Sequence, residues 1–162
     1  MSFLGQRLPQ LPRPLVAPLA LIPGVIHSTI LTATLNRAFR ELLDAGDLDF
    51  LEDQVLSVRV LDARIEYRMR LSARYFVPCS KASVPSLTIA GTVYDLLSLV
   101  TRREDSDTLF FNRRLILEGD TALGLQLKNM LDGLEVPATL QPVIQGFDKF
   151  LGFYERIARP YA

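Results

Sequence analysis

Cysteine, histidine and tryptophan are almost missing from this chain, whose 162 residues include one cysteine, one histidine and no tryptophan. The single cysteine, Cys79, excludes an internal disulfide framework, fits a reducing compartment and leaves too few thiolates for a four-cysteine iron–sulfur site. Excess charge is missing too, because 18 Lys and Arg residues balance 18 Asp and Glu residues. No basic excess therefore points to nucleic acid, and no acidic tail points to disorder.

Reactive groups in a catalytic arrangement are lacking as well. His27 lies at the start of the first predicted helix, far in sequence from any carboxylate cluster, and Cys79 has no evident catalytic partner. No glycine-rich phosphate loop is present, and the acidic run at 104–107 fits a solvated loop with a helix cap better than a metal site. The sequence therefore predicts a chain that is not an enzyme, with no catalytic residue, no metal and no cofactor.

The N-terminus lacks a long uninterrupted hydrophobic run. Residues 1–24 are apolar but are broken by Pro9, Pro12, Pro14, Pro18 and Pro23. A membrane-spanning helix needs about 20 apolar residues, and a signal peptide needs a basic start and an unbroken apolar stretch. We therefore expect an extended apolar arm over 1–24, which either straps onto the domain or touches a membrane or a partner.

Apolar residues are abundant, at 49% of the chain against 22% charged residues. A chain of this length is expected to form one domain with a real core, here over 25–136. Its periodicities predict a helix over 25–45, four strands near 56–62, 64–71, 74–80 and 86–91, a helix after Gly91, a fifth strand near 114–119 and a helix after Asp120 or Thr121. Pro78 predicts that the third strand lies at a sheet edge.

Three helix starts are marked by capping residues, and the last of them is capped by Asp120 or Thr121. Thr92 and Asp95 form a capping-box pattern before a helix whose residues Val93, Leu96, Leu97 and Val100 form one apolar stripe. Asp107 is the predicted cap of the short turn that carries Phe110 and Phe111.

The last segment, 137–162, predicts an amphipathic helix that belongs to the domain or forms a lid over it. About half of its wheel is apolar, which is wider than one core surface requires. At the centre of that arc, facing the sheet or a cavity, we place Leu140, Ile144, Phe147 and Leu151. Toward one edge of the arc we place Phe150, Phe153 and Ile157, which would remain free to contact another surface. Lys149, Arg156 and Arg159 on the polar side suit a helix that lies at a membrane interface.

Three stretches of the sequence carry a family resemblance over roughly residues 35–135. They are "DTLFFNRRLILEGDTALGLQLKNMLDGLE" from 107, "AFRELLDAGDLDFLEDQVLSVRVLD" from 38 and "TIAGTVYDLLSLVTRREDSDTLFFNRR" from 88. Together they resemble the accessory-factor branch of ubiquinone biosynthesis within the sterol carrier protein type two superfamily. The resemblance implies an α+β fold, with a five-stranded antiparallel sheet and helices over one face enclosing a hydrophobic lipid cavity.

The same resemblance implies a function and a set of partners. The chain would be a non-catalytic carrier or scaffold for isoprenoid quinone precursors, or for phospholipid, in oxygen-independent ubiquinone synthesis. Its partners would be the iron–sulfur peptidase U32-type proteins UbiU and UbiV and, transiently, a membrane surface. The expected location is the cytoplasm and the periphery of the inner membrane, and the apolar C-terminal helix makes a homodimer a further expectation. The alternatives are a protein-docking adaptor and a general phospholipid-binding protein without quinone specificity.

Candidate site residues follow from this lipid-carrier interpretation. The predicted lipid-binding residues are Phe110, Phe111, Leu123, Leu127, Met130, Phe147, Phe150, Leu151 and Tyr154. Phe153 and Ile157 are the predicted membrane contacts, and Arg113 and Arg114 the predicted head-group contacts. Two alternatives stay open: the paired phenylalanines are plain core, and the arginines form a structural ion pair or an exposed edge.

Overall fold

The computed structural model describes residues 21, 23–133, 135, 138 and 141–158, without the side chains at positions 25, 143, 154, 157 and 158. The predicted arm over 1–24 lies almost wholly outside the described residues, as do Leu140 and the side chains of Tyr154 and Ile157.

The helices and strands of the described residues follow one another in the order that the periodicities predict. The helices are α1 (Gly24–Ala38), α2 (Arg40–Ala45), α3 (Val93–Val100), α4 (Ser106–Phe111), α5 (Thr121–Gly133) and α6 (Gln141–Ala158), with a 3-10 turn at Asp49–Leu51. The strands are β1 (Val55–Val60), β2 (Ile65–Ser72), β3 (Tyr75–Pro78), β4 (Leu87–Gly91) and β5 (Ile116–Gly119). The single helix predicted over 25–45 is interrupted at Phe39, which has φ −103° and ψ 16° and whose ring lies 6.4 Å from that of Phe76.

Five strands form one mixed sheet in the order β3-β2-β1-β4-β5. The prediction of a wholly antiparallel sheet is wrong, because β1 and β4 pair in parallel, with Leu56 opposite Leu87 and Val60 opposite Gly91. β3 occupies one edge, as Pro78 predicts. Asn36 of α1 covers that edge, since its side-chain amide both donates to the carbonyl and accepts from the N–H of Phe76.

The parallel pair results from the path of the chain after β3. β3 runs in the direction of β1, so residues 79–86 must return across the sheet before β4 can begin beside the start of β1. The guanidinium of Arg68 on β2 binds this crossing segment by donating to the carbonyls of Lys81 and Ser83. The crossing therefore lies on the face of the sheet that carries Arg68, and helices pack on the opposite face.

The main core lies between that opposite face and α1, α2, the 3-10 turn and α5. Its most deeply buried side chains include Leu43, Leu48, Leu51, Met69, Leu71 and Leu87, each at most 3% exposed. The strand alternation predicts these inward positions on β2.

Two of the three predicted caps are confirmed. The Thr92 hydroxyl accepts from the Asp95 N–H and donates to its carboxylate, and Asp120 accepts from the N–H groups of Ala122 and Leu123. The prediction for Asp107 is wrong, because Asp105 is the residue that caps α4, through the N–H of Thr108. Asp107 instead binds the ammonium group of Lys128 at 2.7 Å.

Candidate functional site

A row of half-buried apolar side chains runs across the helix-covered face of the sheet. Strand register places Tyr67, Val58, Ile89 and Leu117 side by side on β2, β1, β4 and β5. All four are only partly buried, although β1 and β4 are central strands. The neighbouring row is closed, with Met69, Leu56 and Leu87 at 2%, 7% and 1% exposure. We call the half-buried set the central row.

The positions of the helices explain why the central row is only partly buried. α1 packs on β2 and β3, and α5 packs on β5, so the middle strands face the space between them. Leu123 and Leu127 of α5 close this space at the Leu56–Leu87 end, where they join the main core. With strands about 4.8 Å apart, four strands give an apolar row about 14 Å long.

An open groove of about 240 Å³ continues the central row at the β5 edge of the sheet. Its apolar lining includes Phe110 of α4, Leu117 of β5 and Leu125 of α5. Leu117 belongs to both features, so the groove adjoins the central row. Sites for small molecules usually hold roughly 300–1,000 Å³, so a lipid tail would need the row as well as the groove.

Two glycines allow close packing around this groove, Gly119 where β5 meets the start of β4 and Gly124 where α5 meets the sheet. A Cβ on Gly119, whose φ is +111°, would clash with the backbone oxygen of Ser86. A Cβ on Gly124 would lie 3.3 Å from a methyl group of Leu87 and 3.5 Å from one of Leu117. The "EGDT" and "LGL" stretches therefore serve close packing at the groove.

The rim of the groove carries a cation fixed by two carboxylates. The ammonium group of Lys128 lies 2.7 Å from the carboxylate of Asp107 and 2.9 Å from that of Asp132. These hydrogen bonds raise the pKa of Lys128 to about 12. The lysine thus ties α4 to α5, the two helices that form the walls of the groove.

The predicted lipid-binding residues divide between groove, core and surface. Phe110 lines the groove, whereas Phe111 is 85% exposed. Leu123 and Leu127 are buried in the main core, and Met130 packs against it. Adjacent side chains on the short helix α4 point in different directions, which separates the two phenylalanines.

Arg114 has the structural role that the ion-pair alternative describes. Its guanidinium lies 2.6 Å from the fully buried carboxylate of Asp95, binds Glu104 as well, and stands 5.7 Å from the centre of the Tyr94 ring. Burial alone would lower the pKa of Arg114, but the hydrogen bonds to Glu104 and Asp95 outweigh it and raise the pKa. Arg113 is exposed. The structure does not bring either arginine into the lining of the edge groove.

α6 is fixed to the body through polar contacts and one buried leucine. The guanidinium of Arg103 binds Asp148 at 2.6 Å and Glu155 at 2.8 Å, and the Tyr94 hydroxyl donates to Glu155 at 2.5 Å. Leu151 on the same side of α6 is fully buried. The structure leaves Phe147, Phe150 and Phe153 exposed, at 41%, 38% and 63%, and does not bring them to the groove.

Neither the central row nor a polar pair at one end of it is among the site residues that the sequence predicts. The Tyr67 hydroxyl lies 3.1 Å from Nδ1 of His27, and the two ring centroids are 6.0 Å apart. A hydroxyl-tipped side chain within the apolar alternation of β2 was the available signal. Its partner lies 40 residues away in sequence, so no local pattern joins the two.

The site offers apolar surface with few polar groups. Among the described residues, no group of three or more His, Cys, Asp or Glu side chains is placed to hold a metal ion. Within the same ranges, no helix has both the length and the hydrophobicity needed to span a bilayer. The arrangement can bind an apolar molecule and orient it by hydrogen bonds.

Comparison with known proteins gives concordant results. The profile of the SCP-2 sterol transfer family matches residues 33–132. The chain is similar to the ubiquinone biosynthesis accessory factor UbiT of Escherichia coli K12, with 37% identity over 125 residues that cover 77% of this chain and 71% of that protein. UbiT of Escherichia coli O157:H7 matches to the same extent. A solved structure described as UbiJ-SCP2, a ubiquinone synthesis protein, has a TM-score of 0.53 and 20% identity over 66% of this chain and 89% of that chain, a likeness of fold.

Proposed function

Because this chain belongs to the SCP-2 sterol transfer family and is a homologue of UbiT, we propose that it carries lipid without catalysing a reaction. The observation that carries the proposal is the central row. An apolar row in the middle of a sheet would normally be sealed by helices, as the neighbouring row is here. A ligand tail lying along Val58 and Ile89 would remove that surface from water, at about 0.8 kcal/mol for each buried methylene.

The name of the relative directs the proposal toward ubiquinone synthesis. We propose that the cargo is an isoprenoid quinone intermediate and that the pathway is the oxygen-independent one. Iron–sulfur chemistry would then come from UbiU and UbiV as partners, while this chain presents or shelters the lipid.

The exposed side of α6 suits transfer of cargo at a membrane. Phe147, Phe150 and Phe153 form an apolar stripe, with the exposed cations Lys149 and Arg156 beside it. Amphipathic helices with aromatic and basic residues arranged in this way lie in the interface of anionic bilayers. We propose that α6 meets the inner membrane from the cytoplasm through this stripe. A homodimer formed through the same stripe stays a prediction, which the oligomeric state in solution tests.

Extraction of the purified protein with organic solvent, followed by mass spectrometry, tests the carrier function. We expect co-purified prenylated quinone or its precursors in the wild type, and a loss of most of that lipid in Ile89→Trp, whose indole would fill the central row. Val84→Trp is the matched control, because Val84 is 83% exposed. Melting curves of both variants show whether overpacking, which costs typically 1–3 kcal/mol, has unfolded the domain.

Three outcomes decide between the alternatives. Phospholipid alone in the extract would favour a general phospholipid-binding protein, and an empty protein that still binds UbiU and UbiV would favour a docking adaptor. Turnover of an added quinone precursor by the chain alone would overturn the non-catalytic assignment.

Tail length provides a second test of the same site. One five-carbon isoprene unit contributes at most about 4 kcal/mol gross, whereas association costs roughly 4–15 kcal/mol. Affinity should therefore rise with each added isoprene unit, and a tailless head group should bind poorly. Equal dissociation constants for tailless and long-tailed quinones would contradict the proposal.

A further inference from the structure

His27 and Tyr67 form a polar pair at the β2 end of the central row. The Tyr67 hydroxyl engages Nδ1 of His27 at 3.1 Å, which fixes the orientation of the imidazole ring. The other ring nitrogen, Nε2, is shielded from solvent and has no hydrogen-bond partner among the described residues. A buried polar atom without a partner is destabilising, so a group that binds Nε2 has a thermodynamic advantage there.

The surroundings of the pair are apolar. Tyr67 packs against the main core and also against a smaller cluster that contains Val60 and Ala63, to which Val93 and Leu96 add half-buried side chains. Burial raises the pKa of Tyr67, which keeps its hydroxyl neutral at physiological pH. A hydrogen bond formed in such surroundings is stronger than one formed in water.

The apolar surroundings also favour a neutral ligand, because burying a phosphate group there would cost far more free energy than burying a carbonyl or hydroxyl oxygen that forms a hydrogen bond.

We propose that His27 and Tyr67 bind an oxygen atom of a neutral ring head group, either a quinone carbonyl or a phenol hydroxyl, while the tail lies along Val58, Ile89 and Leu117 toward the edge groove. The two head groups match the two tautomers of His27. If the Tyr67 hydroxyl donates to Nδ1, Nε2 carries the proton and donates to a carbonyl; if Nδ1 donates to the hydroxyl, Nε2 accepts from a phenol. This inference rests on the proposed carrier function and assigns the polar end of the same site.

Paired ligands separate the head group from the tail. We would measure dissociation constants for a prenylated benzoquinone and for a hydrocarbon that has the same prenyl tail on an oxygen-free ring. The wild type should prefer the quinone by about tenfold, the effect of one buried hydrogen bond. His27→Phe should abolish that preference and leave the affinity for the hydrocarbon within about twofold.

Conservative variants keep the test independent of folding. His27→Gln offers an amide near the position of Nε2 and should restore part of the preference, while Tyr67→Phe removes only the hydroxyl and should reduce it. Ser28→Ala is the control on α1, because among the described residues its hydroxyl bonds to the Gly24 carbonyl within the helix and to nothing else. It should behave as the wild type.

The outcomes distinguish this inference from the carrier function. A wild type that binds neither ligand overturns both. A wild type that binds both ligands, with a quinone preference that survives in His27→Phe and Tyr67→Phe, overturns the head-group assignment and keeps the carrier. Preferential binding of phosphatidic acid over the quinone also overturns the assignment.

Discussion

α1, α2 and the 3-10 turn meet the sheet mainly through leucines, whereas α3, α4 and α6 combine the buried leucines Leu109 and Leu151 with contacts made by charges and hydroxyls. On the first side, Leu43, Leu48 and Leu51 are nearly inaccessible. On the second side, the fully buried groups of α3 are Asp95 and Ser98, and Arg114 reaches in to Asp95. The first side, which we call the apolar side, therefore relies on packing, and the second, the polar side, adds directed polar contacts to its packing.

This difference sets how each side responds to change. Apolar packing depends on volume and has no preferred direction, so it tolerates a shifted methyl group. A buried ion pair requires both partners in a fixed geometry, because a buried charge without its partner is strongly destabilising. The groove at the β5 edge adjoins the polar side, and α6 is part of it.

Asp95→Ala should give the largest loss of stability. It leaves the guanidinium of Arg114, whose side chain is 14% exposed, with Glu104 alone, and it also removes the carboxylate that accepts from the Thr92 hydroxyl. Breaking a buried pair from one side costs about 3–5 kcal/mol. Urea unfolding followed by circular dichroism measures the loss.

A pair of conservative substitutions sharpens the contrast between the two sides. Leu71→Ile, at a fully buried position of the apolar side, should cost less than about 1.5 kcal/mol. Asp95→Asn keeps the shape and the hydrogen bond from Thr92 but removes the charge, so most of the loss seen in Asp95→Ala should remain. If Asp95→Asn costs no more than Leu71→Ile, the polar side does not depend on its ion pair.

The apolar side could be predicted from the sequence, and much of the polar side could not. The alternation at Met69 and Leu71 places those residues in the core, because period-two spacing fixes which face of the sheet a side chain takes. On α3, the stripe that includes Val93 and Leu96 is only half-buried, and the helix buries Tyr94, Asp95 and Ser98 instead. Hydrophobicity alone misleads there, because Asp95 is buried through an arginine 19 residues away.

Long-range pairing also explains the remaining errors. The parallel register of β1 and β4 depends on the path of residues 79–86 across the sheet, which no local spacing encodes. Phe110 was predicted at the site and lines the groove, but the central row needs strand order and helix placement together. The pattern within one helix or strand therefore predicts which of its side chains can line a site. It does not predict the space that several elements enclose together.

High pH should weaken the polar side selectively through Tyr94. Burial, together with the hydrogen bond and the negative charge of Glu155, raises the pKa of Tyr94 from 10.0 to about 12. The folded state thus holds the neutral phenol, and its contribution is complete below pH 10 and is lost as the pH rises through about 12. Between these values the free energy of unfolding should fall by up to about 1.4 kcal/mol per pH unit.

Tyr94→Phe isolates that contribution. The variant cannot ionise at this position, so its stability should decline less steeply than that of the wild type from pH 9 to pH 11.5, as measured by urea unfolding at each pH. Tyr67 and Lys128, whose pKa values are also raised, titrate in both proteins and cancel in the difference. If the free energy of unfolding falls equally with pH in the two proteins, the ionisation of Tyr94 does not contribute to the stability of the polar side.

Arg103→Met should change global stability least and local opening most clearly. Arg103 joins α6 to the body through Asp148 and Glu155, but its side chain is 27% exposed, and ion pairs of this kind contribute about 0–1 kcal/mol. The apolar side would hold the fold, so the melting temperature should move little. α6 should open more often, and a loss of about 1 kcal/mol makes hydrogen exchange of its amides about fivefold faster.

Lys149→Met changes an exposed cation on the same helix and should leave exchange unaltered. If Arg103→Met exchanges at the wild-type rate while Leu151→Ala speeds exchange, α6 is held by its one buried leucine, and the contrast between the two sides fails at the helix that carries the exposed phenylalanines.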